Sequence, residues 1–572
     1  MKKLLLLVAF ILSADALFAQ APSIQWQKAL GGADGDIASD IQPTTDGGYI
    51  VAGNSSSNDG DVSSNHGGAD YWIVKLDAAG NKVWQKSFGG SANDYATSIK
   101  QTSDGGYIVG GTTFSNDNDV SGNHNPDSDG WVIKLDASGN LVWQKAIGGV
   151  GGDFITAILQ TNDGGYVAGG YSSSNNSDAS GNNGSFDFWT IKLDASGNIS
   201  WYKMIGGSQD DRARALQQTA DGGYIITGST ASVITGARDC LMAKLDASGN
   251  IAWQKTLGGT GNDEYNSIQQ TIDGGYIAAG TTASSNGDVT GNHGGDDYWL
   301  VKLDASGSIT WQKTLGGSGT DWSYAVQQTT DGGYVALGVS TSTDGDVTGT
   351  HGNGDFWLAK LNTSGNLTWQ KSFGGTGGDY GYAISQTADG GFITAGFSNS
   401  TDGDVTNNHD NGDFWVVKLG AINVLPVTFG DITAAIKHTK LLVNFTTVSE
   451  KNNDRFIIEA SKDGIHFKET GIITSLAKDG TSTVPLQYSF SMNYGGLGMA
   501  GVGLFTILLL PFTKKGRLVV VMTFACIVSF ISCKKNTDKI SSGVTDNVFI
   551  RIAQVDKDGT AYYSKIVKAV QE

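Results

Sequence analysis

Apolar and polar side chains alternate in short runs along most of this chain, and the runs return at a nearly fixed distance. Residues 297–317, DYWLVKLDASGSITWQKTLGG, show the unit: YWLVKL and ITWQKTL flank a DASG turn. That is the pattern of a β-hairpin. The tryptophan of the second run recurs at Trp26, Trp84, Trp143, Trp201, Trp253, Trp311 and Trp369, at intervals of 58, 59, 58, 52, 58 and 58 residues. A period of this size, filled with short strands and glycine-rich turns, predicts propeller blades rather than β-helix coils.

Each copy divides into four strands, A to D from the inside outward. In the second copy they are YATSIKQT (95–102), GYIVGGTT (106–113), GWVIKL (130–135) and LVWQKAIG (141–148). A and B are joined by a DGG turn, in which Asp46, Asp104, Asp163, Asp221, Asp273, Asp331 and Asp389 each precede two glycines. These aspartates read as turn residues, bonding their side chains to nearby backbone. Seven A–B–C sets run from about Ile37 to Leu419, but the first D strand, residues 24–30, precedes every A strand. The last set has no D strand after it. The strand count therefore predicts an all-β, seven-bladed propeller in which residues 24–30 pair with residues 414–419 and close the last blade. Six further tryptophans fall on C strands, leaving Trp322 as the one outside the framework.

Composition refines this picture. The 572 residues hold 82 Gly but only 6 Pro, and periodic aromatic and β-branched residues mark the glycines as turn residues of an ordered repeat. A formal charge of −18 argues against nucleic acid as a partner. Residues 1–19 read as a secretory signal, with Lys2 and Lys3 ahead of an apolar run and small residues ending at Ala19. The repeat array, residues 20–420, has Cys240 as its single cysteine, so packing rather than disulfides must stabilise it.

The DGDVTGNHGGDDYWLVKLDASG-type core resembles that of secreted Bacteroidota-type β-propeller repeat proteins, over residues 24–419. Residues 424–572 follow. Their LPVTFGDITAAIKHTKLLVNFTTVSEKNNDRFIIEASKDGIHF resembles a fibronectin type III-like module, a β-sandwich, and VFIRIAQVDKDGTAYYSKIVKAV resembles its last strands. Relatives of this kind are mostly without an assigned function, and glycanase labels occur among them.

Residues 493–545 interrupt that module with two apolar runs, 497–512 and 518–533, separated by TKKGR. One reading is a helical membrane hairpin with Lys514, Lys515 and Arg517 on the cytoplasmic side. A second is a lipoprotein-like signal with Cys533 lipidated, and a third is a buried apolar insert. The protein is then exported and extracytoplasmic, and the insert decides whether it is anchored.

Three groups of residues are candidates for function. The D–A loop is GGxxxD in every copy and gives Asp36, Asp94, Asp153, Asp211, Asp263, Asp321 and Asp379. With strand A innermost, these are expected to ring one mouth of the channel, or else to cap tight loops. The residues just after them vary (Ile37, Tyr95, Phe154, Arg212, Glu264, Trp322 and Tyr380), which repeat packing does not require. Trp322, Tyr380 and Tyr95 are the candidate ligand contacts, for a glycan or a protein. The B–C loop reads DGDVxxNHxxxD in its fullest form. Its paired ends Asp61 and Asp70, Asp288 and Asp297, Asp346 and Asp355, Asp404 and Asp413 are oxygen-rich candidates for Ca²⁺, with Asx-turns as the competing explanation. The fourth copy retains only Asp239 of this loop, which accounts for its interval of 52 residues.

A non-enzymatic binding or scaffold protein is the leading expectation. The rival is a glycan-active, endoglucanase-like hydrolase or lyase at the channel mouth. No G-x-S-x-G, HExxH, Cys/His cluster or phosphate loop is present, and repeated acids suit a frame better than a unique catalytic pair.

Overall fold

The computed structural model describes residues 21–571 except 125–126, 233–236, 410, 422–426, 439, 451, 465, 483, 494–546 and 558–560. The expected signal and nearly all of the apolar insert lie outside the described residues. Among those residues, no helix is long and apolar enough to cross a membrane. The chain divides into two compact units, residues 1–422 and 423–572.

The first unit contains seven four-stranded antiparallel sheets, giving a β-propeller-like repeat. In the second sheet the strands are Asp94–Gln101, Tyr107–Thr113, Asp129–Leu135 and Leu141–Ile147, hydrogen-bonded in that order. Six sheets are contiguous in sequence. The seventh is Asp379–Gln386, Phe392–Ser398, Asp413–Leu419 and then Ile24–Leu30. Ile24 pairs with Leu419 and Leu30 with Phe414 across that last step.

Strands B and C are apolar on both faces because both faces are covered. Tyr71–Leu76 and Tyr107–Val109 are at most 5 % exposed, and each core draws on two consecutive sheets. Ile50 and Tyr71 of sheet 1 pack with Tyr107 and Trp131 of sheet 2. Trp72 and Val74 of sheet 1 pack with Phe414 and Val416 of sheet 7. The strand-D tryptophans join neighbours edge-on: Trp26 meets Tyr49 at 5.7 Å and Trp84 meets Tyr107 at 5.9 Å between ring centroids. Six of the seven rings, all but Trp369, lie against a turn glycine of the next sheet. Gly139 has φ +78°, and a Cβ there would stand 2.9 Å from Trp84, so both backbone and space call for glycine.

The A–B turns hold a partner absent from the sequence reading. Asp46 Oδ1 accepts the Gly48 N–H at 3.0 Å, while its Oδ2 pairs at 2.9 Å with Lys75 Nζ from strand C. The same pairing joins Lys302 to Asp273 and Lys360 to Asp331. These carboxylates lie low: burial alone would raise Asp273, but Thr271, Lys302 and the Gly275 N–H bring it down to about 2.

The second unit has two sheets. One runs Leu486–Asn493, Lys440–Glu450, Val427–Lys437, Val570–Gln571; the other runs Lys468–Thr474, Asn453–Ser461, Phe549–Asp556, Ala561–Tyr563. Phe445 and Val443 of the first share a core with Phe456, Ile458 and Ile550 of the second. Buried Glu450 is satisfied within this unit by Tyr488 Oη at 2.6 Å, Thr447, Asn453 and Ser475.

Candidate functional site

The distinctive side chains of the first unit stand on strand A, and a backbone irregularity puts them there. In every A–B pair the register slips after the third residue of A, as between Ala38 and Asp40 or between Ala213 and Ala215. The extra residue is Ser39, Thr97, Thr156, Arg214, Asn266, Tyr324 or Tyr382. A bulge leaves such a residue outside the ladder and re-aims its side chain. All seven are half-buried, whereas Ala38, Ala96 and Ala213 beside them are fully buried.

Together with the variable residue two places earlier, the bulge residues form a belt of uneven chemistry. Sheets 1 to 3 contribute small hydroxyls at the bulge. Thr97 and Thr156 spend theirs on carbonyls of the next sheet, Ile155 O at 2.8 Å and Ala213 O at 3.3 Å. Sheets 4 to 7 contribute large groups. Arg214 Nε donates to Glu264 at 2.5 Å, and Tyr324 and Tyr382 meet at 5.0 Å between ring centroids. Burial pushes the Tyr382 hydroxyl up to about 12, so it is a neutral donor at any physiological pH. Burial would lower Arg214, but the Glu264 carboxylate more than offsets it and holds the guanidinium charged.

The candidate ligand contacts are placed along the same strands. Trp322 is 37 % exposed and its Nε1–H donates to Asp296 at 2.9 Å, leaving an indole face open. Tyr95 is 36 % exposed and stands edge-on to Phe114, which is itself exposed. Tyr380 is half-buried against Phe397. Between Tyr95 and Glu264 in the sheet order, Phe154 stacks on Tyr171 at 4.8 Å, and Arg212 lies 4.8 Å from the Phe186 ring and 2.9 Å from Asp210. Arg214, Tyr324, Tyr382 and Tyr171 were absent from the sequence reading. Strict alternation hides a bulge residue, although the variation from copy to copy was readable.

The other two groups are placed differently from expectation. Asp36, Asp94, Asp153, Asp211, Asp263, Asp321 and Asp379 are at most 1 % exposed, so they do not present a carboxylate ring to a channel mouth. Each folds back under its own loop. Asp36 Oδ2 accepts the Gly32 N–H at 2.8 Å and Ser57 Oγ at 3.0 Å, and Asp379 repeats this with Gly375 and Ser400. Burial raises Asp36 and Asp153 to about 6 in spite of these bonds.

The paired ends of the B–C loops do not face each other. Asp70, Asp297, Asp355 and Asp413 each receive the backbone N–H and Nδ1 of a loop histidine; for Asp297 these come from His293 at 2.8 and 2.7 Å. Asp288, Asp346 and Asp404 instead reach the preceding sheet, accepting weakly from Gly258, Gly316 and Gly374 at 3.2 to 3.4 Å. Asp61 pairs with Lys82 at 2.5 Å. Asp288 and Asp297 thus belong to opposite sides of sheet 5, so the two ends do not build the shared cation site expected. The cause is that the loop spans its sheet. Among the described residues, no group of three or more His, Cys, Asp or Glu is gathered to hold a metal ion.

No family model matches the chain. It is similar to the regulatory protein FlaEY of Caulobacter vibrioides, with 24 % identity over 401 residues, which is 62 % of this chain and 40 % of that protein. The chain thus spans less than half the length of that relative. Among solved structures, Sqt1 from Chaetomium thermophilum aligns at TM-score 0.37 and 9 % identity, covering 70 % of this chain and all of that one. The hemagglutinin-neuraminidase ectodomain of parainfluenza virus 5 aligns at TM-score 0.34 and 7 % identity, over 70 % of this chain and 86 % of its own. Trypanosoma rangeli sialidase in complex with sialic acid aligns at 0.28 and 8 %, over 83 % and 85 %.

Proposed function

We propose that the first unit is a closed seven-bladed propeller serving as an extracytoplasmic binding scaffold, with strand A presenting a glycan-binding belt. The second unit is the fibronectin type III-like spacer of this scaffold. Residues 1–19 direct export, and residues 497–533 associate with the membrane. Pairing of Ile24–Leu30 with Asp413–Leu419, and the core shared by sheets 7 and 1, support the closure.

One observation carries the binding reading. In a repeat whose frame positions scarcely change, the two innermost positions of strand A carry a different combination of residues in every sheet and gather tyrosines, Trp322 and the Arg214–Glu264 pair in sheets 4 to 7. Packing does not demand that variety. Open aromatic faces beside fixed donors suit sugar rings, which offer C–H faces and hydroxyl edges at once. A hydrolase needs two carboxylates in distinct states. Glu264 and Asp210 are both engaged by arginines, and Asp296 by Trp322, which favours binding over catalysis.

A polysaccharide panel tests this, with binding and reducing-end release measured on the full chain. Binding without release is expected, weakened at least tenfold in Trp322→Ala and in Tyr382→Ala. Release abolished by Glu264→Gln would instead establish the glycan-active enzyme. Capture of a protein ligand with no glycan bound would move the belt to protein recognition.

A further inference from the structure

The seven junctions between consecutive sheets follow one plan, and one junction departs from it in charge. At each, the aspartate opening strand C of one sheet and the aspartate opening strand A of the next converge on the glycine after strand D. A methyl group on Gly31, Gly89, Gly148, Gly206, Gly258, Gly316 or Gly374 would meet both carboxylates. A third aspartate from the B–C loop then bonds its N–H to that glycine's carbonyl: Asp61, Asp119, Asp178, Asp288, Asp346 and Asp404, at 2.8 to 3.2 Å.

Wherever the third aspartate is present, a loop histidine comes with it, save once. His66 shows the geometry: Nδ1 is 2.9 Å from Asp70 and Nε2 is 3.9 Å from Asp119. His124, His293, His351 and His409 hold the equivalent strand-C aspartates. Between sheets 3 and 4 the histidine is missing, but the third aspartate is missing too. Between sheets 4 and 5, Asp239, Asp263 and Asp288 are all present, and the shortened fourth loop (ASVITGAR, 231–238) has no histidine to give.

This junction is also open. A cavity of about 480 Å³ lies there, lined by Asp239, Gly258, Gly259, Thr260, Asn286 and Asp288 among others. Asp239 is 7 % exposed; its Oδ1 lacks a hydrogen-bond partner among the described residues, as does Oδ1 of Asp70, Asp297 and Asp355, but unlike theirs its other oxygen is held by no histidine. Asp263 is fully engaged by Thr282, Ser284 and the Gly259 N–H, so it supplies field rather than a free oxygen. Asp288 is exposed and holds one weak amide contact of 3.2 Å.

We propose that the cavity between sheets 4 and 5 binds one oxygen-seeking divalent cation of the calcium class, with Asp239 and Asp288 as its carboxylate ligands. The ion takes the place that the histidine fills elsewhere. Calcium tolerates the irregular, water-completed shell that a roomy two-carboxylate site provides, whereas magnesium demands a tighter octahedron.

Calorimetric titration of the full chain with calcium chloride tests this, alongside melting in chelator and in millimolar calcium. One equivalent bound is expected, with Kd on the order of 10⁻⁴ to 10⁻³ M and a melting temperature that rises with calcium. Asp288→Asn, at an exposed position, and Asp239→Asn should each abolish the isotherm, while Asp346→Asn at a histidine-bearing junction should leave it intact. No heat and no change in melting would overturn the site. So would about six equivalents, an isotherm that survives Asp288→Asn, or a preference for magnesium.

Discussion

At the scale of single residues, the buried lysine of strand C shows how a repeat hides a charge. In DYWLVKL, alternation reads Lys302 as a solvent-facing position, yet it is 5 % exposed. Its Nζ reaches Asp273 at 2.9 Å and the Leu303 carbonyl at 3.0 Å, so the turn aspartate is both a turn former and a counter-ion. The DGG turn was legible because its residue types state their backbone conformation. The lysine was not, because its partner lies 29 positions away. The two halves of the pair differ in what their loss leaves behind. Asp273→Ala strands a buried ammonium and should cost about 3 kcal/mol. Lys302→Met leaves a carboxylate that is 61 % exposed and rehydrates, and should cost about 1 kcal/mol. Urea midpoints of the two variants would show the asymmetry, and equal shifts would refute it.

At the scale of the element, strands C and D are tied in five sheets by a bond that sheets 3 and 4 lack, sheet 4 because Leu241 replaces the tryptophan. Trp72, Trp131, Trp299, Trp357 and Trp415 each donate Nε1–H to a strand-D glutamine, at 2.8 to 3.0 Å. In sheet 3 the strand reads WYK, and buried Trp189 Nε1 has no partner. An unmade bond of this kind costs about 1 to 3 kcal/mol. Tyr202→Gln should therefore raise stability by about 1 kcal/mol after the lost ring packing, read as a higher melting temperature. A lower one would show that the tyrosine ring matters more than the indole bond. Strand identities and the span 24–30 were readable from alternation and turns. The bulge in strand A was not, since an extra residue merely shifts the apparent phase, and with it went half of the ligand belt.

At the scale of the first unit, seven shared cores link consecutive sheets, and sheets 7 and 1 share theirs like any other pair. Deleting residues 23–30 should expose Asp413–Leu419 as an unpaired edge and strip Leu30 from the sheet 7–sheet 1 core. The expected result is aggregation or a clearly lowered melting temperature of the full chain. Unchanged melting would refute the proposed closure. The same pairing sets a schedule for synthesis. Ile24–Leu30 emerges first, and its partner strand ends at Leu419. At ribosomal rates of about 5 to 20 residues per second, the opening strand waits on the order of 20 to 80 s for the strand it must meet. Throughout that wait IQWQKAL lacks the strand it pairs with, and only Gln25, Gln27 and Lys28 break up its apolar residues. The last sheet of the first unit to be completed is thus the one that depends on the unit's earliest-made strand having stayed unpaired.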